Sequence, residues 1–535
     1  METEIHKISS KKKLLCTLII FLIIFIIIFF GEGIRNSFFF RNIQLCNNYE
    51  EIIQKEDLEQ ADLTYEMTDA IFFNGQKVPY TIENRTFYIS QDIETLYWEG
   101  ELEAAEGYKI YILEDNMWDF KTNAIAQGHM FSILVAKGKK CQTANIIVSG
   151  LPVLSLRETK GYDNPQEIAL LDAKKEMCYD GHCSFEIRGQ TSACLPKVGY
   201  NIELCDESWN EEQASLLGLR MDDDWIINAL YTDNHKVREK MAYQIWNEIQ
   251  EYNCNNFNQA SNITYVELIL NNQYWGIYGL QEPVDEKQLS LTDSDVMYRN
   301  INMFMPEEKD FKVEDGTKVI PGFEIREPQE TEIETEDWIP MREYVKYIYN
   351  NAKMLYKEEI TALLDMNNVV DYELYVQVLA GADNIYKNIN YVARFENGSY
   401  KMYQMPWDLD YTFGHDYGGT ATFSEYKREY ETILMCTREY SALESVDREQ
   451  VNKLLTETWK QYRRKIFNEK HLKAMAKNAM NELTQSGAFA RDTARWPEAG
   501  NTANLSEIYQ YIEQRLEFLD TYYEDIDGWE SEYGI

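Results

Sequence analysis

The most strongly patterned part of the chain is its start. Residues 14–30 carry no charge and are mostly Leu, Ile and Phe. Such a run has no polar face and lies at the short end of what crosses a bilayer as a helix. Lys7, Lys11, Lys12 and Lys13 precede it, which by the positive-inside tendency keeps the N-terminus in the cytoplasm and sends the remainder across. The Gly-Glu-Gly-Ile-Arg run after Phe30 offers no clear Ala-x-Ala cleavage site, so the pattern predicts an uncleaved anchor over residues 1–34 rather than a removed signal peptide. The expectation is a single-pass membrane protein with an extracytoplasmic main domain.

Residues 35–64 are polar and read as a linker. From 65 to 146 short β-rich runs recur, among them Thr86-Phe-Tyr-Ile, Tyr108-Lys-Ile-Tyr-Ile-Leu and Met130-Phe-Ser-Ile-Leu-Val-Ala, with turn signals such as Asn74-Gly75 between them. They predict a small β-sandwich-like domain. A second region, 147–535, begins with strands near 184–190, 198–205 and 263–282. Between the last two, Val237, Met241, Ala242, Ile245, Trp246 and Ile249 recur at helical period. Residues 285–336 are charged, with few periodic apolar positions, and read as an insertion or long loop. Helical patterns dominate from Trp338, apart from a β-hairpin over 390–405 with Asn397-Gly398 at its turn. The order predicts an α+β fold.

Composition narrows the function classes. Lys plus Arg number 52 against 90 Asp plus Glu, a formal charge of -38 over 535 residues. A surface this acidic repels nucleic acid; it suits cations or basic proteins, or simply solvates the chain. Cys178, Cys183, Cys194 and Cys205 cluster locally, which leaves disulfides and free thiols both open. No His-Glu-x-x-His zinc motif and no Gly-x-Ser-x-Gly elbow occurs.

The sharpest chemical signal is Asp383-Asn-Ile-Tyr-Lys-Asn388. An Asp followed five residues later by an Asn is the spacing of a phosphotransferase catalytic loop, in which the Asp orients the acceptor hydroxyl and the Asn carbonyl meets Mg²⁺. Downstream lies Pro406-Trp-Asp-Leu-Asp-Tyr-Thr-Phe-Gly414. In an extended segment Asp408 and Asp410 face one side and, with Asn388, make a hard-oxygen site for Mg²⁺ or Mn²⁺. The plainer reading is that both aspartates cap a turn or helix.

Several segments, in order, carry a family resemblance: Leu151-Pro-Val-Leu-Ser, Ile187-Arg-Gly-Gln-Thr-Ser192, Pro196-Lys-Val-Gly-Tyr-Asn-Ile-Glu-Leu204, Asp224-Trp-Ile-Ile-Asn228, Val237-Arg-Glu-Lys-Met-Ala-Tyr243, the Val266 to Tyr278 run, residues 406–414, Arg491-Asp-Thr-Ala-Arg-Trp-Pro497 and Tyr511-Ile-Glu-Gln-Arg515. Over roughly 147–525 the chain resembles the spore coat protein H (CotH) kinase family. The resemblance implies an atypical two-lobed protein-kinase-like fold, ATP with Mg²⁺ or Mn²⁺ as cofactors, and transfer of the γ-phosphoryl group to Ser or Thr of a protein, such as a Ser-rich or basic coat or surface protein.

Carried onto this chain, the resemblance makes Asp383 the catalytic Asp and Asn388, Asp408 and Asp410 the metal set. Arg188, Ser192, Lys197, Glu239 and Glu282 would serve the nucleotide, with Glu239 pairing Lys197 and Glu282 near the adenine. Lys197 as a solvated edge-strand residue, and Arg238 in a surface ion pair, are the plainer alternatives. An exported kinase meets little ATP. A non-catalytic cell-surface or spore-coat binding protein is therefore the competing expectation, and a small-molecule kinase would share the same catalytic residues.

Overall fold

The computed structural model describes residues 40–41, 43–93, 101–116, 130–159, 164–172, 179–189, 191–255, 258–349, 353–415 and 436–524. The first part is built from a four-stranded and a seven-stranded sheet. Phe73 and Leu102 of one meet Phe87, Ile110, Ile133 and Ile146 of the other in a common buried cluster. The stretch read as a linker is structured from Ile43 onward. Ile43–Cys46 pairs in parallel with Tyr108–Leu113, and the helix Tyr49–Lys55, capped by Asn48, lays Tyr49, Ile52 and Ile53 against Tyr111 and Leu134. Sparse apolar residues disguised this segment, because a short edge strand and a one-sided helix need few of them.

The next strands are β1 (Val153–Arg157), β2 (Gln166–Leu171), β3 (Tyr179–Arg188), β4 (Gly199–Cys205), β5 (Asp224–Asn228), β6 (Ile263–Leu270) and β7 (Gln273–Gln281). They form a closed barrel in the order β1-β2-β3-β4-β5-β7-β6, shut by parallel pairing of Val153 to Leu156 with Glu267 to Leu270. Leu154, Ile168, Ile202, Trp225, Val266 and Leu280 fill it. The run 263–282 is thus a hairpin, turned at Asn271 and Asn272, both at positive φ, as a two-residue turn of this hand requires. The helix α1 (Arg238–Tyr252) packs its apolar face into the large core beside the barrel.

A five-stranded sheet follows. It contains β8 (Val296–Asn300), β9 (Val319–Ile320), β10 (Phe323–Glu327), β11 (Ile389–Glu396) and β12 (Ser399–Pro406), in the order β9-β10-β8-β11-β12. Three of these come from the segment expected to be a charged loop. Its Val296, Met297, Tyr298, Phe323 and Ile325 are buried, while acidic neighbours such as Glu330, Glu332 and Glu334 stay outside. The charges masked strands too short to show a period. The helices α2 (Ile339–Ile348), α3 (Met366–Leu379), α4 (Arg438–Tyr462), α5 (Glu469–Gln485), α6 (Ala488–Arg495) and α7 (Ser506–Glu524) complete the chain. α3 is buried from Asn368 to Leu379 on every face, which is why it shows no amphipathic stripe.

The expected architecture is corrected in two respects. The α+β class stands, but the strand-rich part is a closed seven-stranded barrel and not the strand lobe of a two-lobed kinase-like fold. The parallel β1–β6 pair leaves that sheet no free edge. In addition, no helix among the described residues is long and apolar enough to cross a membrane, which does not support the expected transmembrane helix and single-pass localisation. The run 14–30 itself lies outside the described residues.

The β-rich first part is not a tethered bead. Tyr88 stacks on Tyr274 of β7 at 5.3 Å between ring centroids, and the Ile82 amide donates to the Asn272 carbonyl at 2.9 Å. Arg491 of α6 binds the Glu267 carboxylate at 2.7 Å and reaches the Ser149 hydroxyl. Cys183, Cys194 and Cys205 are free thiols; Cys178 lies outside the described residues.

Candidate functional site

α3 delivers the first site residue. It ends at Ala380 in the left-handed region, and a 3₁₀ turn, Ala382–Ile385, carries Asp383 into a buried position. One carboxylate oxygen of Asp383 accepts from Asn388 Nδ2 at 2.8 Å and pairs with Lys387 Nζ at 2.8 Å. Burial raises the Asp383 pKa and the Asp408 charge adds to it, while Lys387 and Asn388 pull it down. Asn388 sits at φ +57, a conformation that Asn tolerates better than most residues. Asn384 fixes the loop by donating to the Asn388 carbonyl at 3.1 Å and the Trp407 carbonyl at 2.8 Å. The Trp407 amide closes the ring onto the Asn388 carbonyl at 3.0 Å.

β12 ends at Pro406, and the chain turns sharply at Asp408, whose φ is +59. A non-glycine residue held there stores strain of the kind that gathers at functional sites. The Asp408 amide faces the Tyr243 hydroxyl of α1 at 3.3 Å. Asp408 as a whole is exposed. Displacement of water by surrounding protein raises its pKa, solvent tempers the shift, and the charges of Arg188, Lys387 and Arg299 oppose it. Asp410 accepts from Thr232 at 2.9 Å; desolvation, then Asp408, Glu239 and Asp383, hold its pKa well above the carboxylate range. Glu239, on α1, accepts from Asn228 at 2.7 Å. Burial and the Asp408 charge hold it up at about 8. Asp383, Asn388, Asp408, Asp410, Glu239 and Arg188 therefore share one electrostatic neighbourhood.

Other expected residues stand elsewhere. Lys197 is fully buried and does not pair with Glu239. Its ammonium binds Asp492 of α6 at 2.9 Å and donates to the Ile277 carbonyl, over the Tyr278 ring at 4.5 Å. Burial drives its pKa down to about 7. The solvated edge-strand reading does not describe it, because the barrel wall and α6 enclose it. Glu282 is buried and takes the Arg220 amide at 2.8 Å, a structural role in the loop after β5's neighbour strand β7. Ser192 is exposed near Gly189 at the end of β3, where a Cβ on Gly189 would overlap the Ser192 hydroxyl. Arg238 is buried and paired with Asp233, not a surface ion pair.

Four site residues escaped the sequence reading. Lys387 lies within the Asp383 to Asn388 motif, and Trp407 within the stretch that carries Asp408, so both were in view without a reason to select them. Tyr243 reads as a core residue. Arg299 comes from the segment that looked like a loop, and no sequence signal marks it.

A divalent cation fits this chemistry in a limited way. Among the described residues no three His, Cys, Asp or Glu side chains are grouped so as to hold a metal by themselves. Asp408 and the Asn388 amide oxygen are the hard-oxygen donors on offer, amid carboxylates whose pKa values are raised first by burial and, at Asp410 and Glu239, also by neighbouring negative charge. That is the donor count Mg²⁺ uses when substrate phosphates and water complete its shell.

Barrel, five-stranded sheet and the hydrogen-bonded Asp383–Asn388 pair define an α+β protein. A family model described as CotH kinase protein matches residues 185–519. The chain belongs to the CotH kinase family, whose name points to kinase chemistry with ATP and a divalent metal. No curated protein matches the chain.

Proposed function

We propose that this protein is an ATP-dependent protein kinase that transfers the γ-phosphoryl group to a Ser or Thr hydroxyl of a protein. The observation that carries the reading is the hydrogen-bonded Asp383–Asn388 pair, locked by Asn384 to the turn bearing Asp408. In the reaction, Asp383 accepts the hydrogen bond of the substrate hydroxyl and orients it. The hydroxyl oxygen forms the new bond to γ-phosphorus, the bond to the β-phosphate bridging oxygen breaks, ADP leaves and the proton passes to Asp383. Lys387 and Asn388 steady the Asp383 carboxylate in one rotamer. Asp408 and Asn388, joined by Asp410 once a cation displaces its proton, are the residues that would hold Mg²⁺ or Mn²⁺, which would supply charge neutralisation to the phosphates when bound. Arg188 completes the anion-facing side. A Ser-rich or basic protein is the substrate class that suits the acidic chain.

The test is phosphate incorporation from labelled ATP, with Asp383→Asn and Asp408→Ala beside the wild type. Incorporation in the wild type and loss in both variants supports the reading; equal signal in all three sinks it. The lack of a ready-made three-residue metal group among the described residues favours a second reading, a non-catalytic cell-surface or spore-coat binding protein. Calorimetric titration of ATP with Mg²⁺ separates them, since a non-catalytic coat protein gives no heat of binding.

A further inference from the structure

Two arginines lie against one indole at the rim of the site. The Arg299 guanidinium is 4.1 Å from the Trp407 ring centroid and that of Arg188 is 5.6 Å from it. Their side chains arrive from different sheets, Arg188 at the end of barrel strand β3 and Arg299 on β8. Like charges gathered in this way repel, and each is partly withdrawn from water.

Asp408 feels the charge of both, but neither has a carboxylate within hydrogen-bonding length. Among the described residues Arg188 forms no ion pair, and Arg299 reaches Glu324 only at 3.9 Å, beyond hydrogen-bonding length. Arg299 is nonetheless built in. Its Nε donates to Asn390 Oδ1 at 3.0 Å, directly across the β8–β11 pair. The adjacent Asn300 carbonyl accepts the Asn388 amide at 3.1 Å, and the Asn388 carbonyl accepts the Trp407 amide at 3.0 Å. Two strands thus fix both the guanidinium and its indole support relative to the Asp383–Asn388 pair. Planar forks with spare donors, stacked on an aromatic ring, match a tetrahedral oxyanion.

We propose that Arg299 and Arg188, held against Trp407, form the subsite for the phosphoryl group that is transferred, so that the site distinguishes a nucleoside triphosphate from a diphosphate. The proposal rests on the kinase reading for the identity of the anion, and on Arg299, Arg188 and Trp407 for the subsite itself.

The experiment is calorimetric titration of the full-length protein with Mg²⁺ and either a non-hydrolysable ATP analogue or ADP, for wild type, Arg299→Ala, Arg299→Lys and Asn390→Ala. Loss of one charge-assisted contact should weaken the triphosphate analogue by about ten-fold or more in Arg299→Ala, while ADP affinity stays within about two-fold. Asn390→Ala, which removes the supporting hydrogen bond but keeps the charge, should fall between. Equal affinity of Arg299→Ala and wild type for the analogue overturns the subsite, as does an equal loss for analogue and ADP. If Arg299→Ala does not fold, Arg299→Lys, which keeps charge but not the fork, is read by the same criterion. If the wild type binds neither nucleotide, the kinase reading fails and inorganic pyrophosphate decides the subsite. A thermal upshift in wild type that Arg299→Lys loses sustains it; no upshift in wild type overturns it.

Discussion

The ammonium of Lys197 lies 2.9 Å from Oδ1 of Asp492, with both side chains wholly shielded from solvent. Asp492 also takes the Ile277 amide at 2.9 Å and Asn501 Nδ2 at 2.8 Å, and Lys236 Nζ stands 3.4 Å from its other oxygen. A single carboxylate on α6 therefore answers two buried lysines from the barrel side. Asp492→Asn leaves both without an anion, and the expected loss is about 3–5 kcal/mol, the usual consequence of breaking one side of a buried pair. The midpoint of urea unfolding measures it. A change within error of zero would show that the pair carries no stability.

Lys197 also sets a pH dependence. Burial lowers its pKa to about 7 in the folded protein, against an ordinary lysine value of about 10.4 in the unfolded chain. Between those values the unfolded chain holds the extra proton, so the Lys197 contribution makes stability rise with pH across that window. Lys197→Met should flatten the rise. Unfolding midpoints of the two proteins from pH 7 to 10 test this, and parallel curves would refute it.

Glu239 works with the opposite sign. Its folded pKa is about 8 through burial and the charge of Asp408, against about 4.3 when unfolded. In that window the folded protein keeps the proton that the unfolded chain has lost, so stability falls as pH rises from about 4 to about 8. Glu239→Gln should remove most of that slope. Thermal melts from pH 5 to 8 provide the comparison, and an unchanged slope in the variant contradicts the assignment.

Asn384 and Asp383 separate support from chemistry. Asn384→Ala removes the bonds to the Asn388 and Trp407 carbonyls and should cost about 1–3 kcal/mol, with phosphate incorporation falling as the Asp408 turn loosens. Asp383→Asn should leave the unfolding midpoint nearly in place and reduce incorporation by about 10²–10⁴-fold. Denaturation and transfer assays on both variants read the difference; a reversed pattern would exchange their roles.

Gly276 is the remaining sensitive point. It sits at φ +94, and an added Cβ would overlap the Asp492 carboxylate. Gly276→Ala should therefore combine backbone strain of about 1–3 kcal/mol with displacement of Asp492 from Lys197. Urea unfolding with a midpoint as high as wild type would show that β7 relaxes around the methyl.

The sequence made Asp383, Asn388, Asp408 and Asp410 legible because their spacing is local. Five residues span one turn and its exit, and Asp408 and Asp410 stand two residues apart on the turn that follows β12. The hairpin over 390–405 and α1 were legible for the same reason, since Asn397-Gly398 and the apolar positions from Val237 to Ile249 express short-range geometry. The buried pairing of Lys197 is not legible locally, because its partner, Asp492, is nearly three hundred residues away in sequence. No local pattern marks a lysine that pairs with an anion on a distant helix.

What the sequence determined by itself is the chemistry available and the family it belongs to: an Asp–Asn loop, a pair of aspartates two residues apart, and an acidic chain of α+β character. Only the tertiary structure decided that the strand-rich part closes into a barrel, that residues 285–336 supply three strands of a sheet, and that Arg299 reaches the site. Barrel closure depends on β1 meeting β6 across more than a hundred residues. Arg299 depends on β8 lying beside β11. Pairings of that range are fixed by burial of the whole core, and side-chain period within one segment carries no record of them.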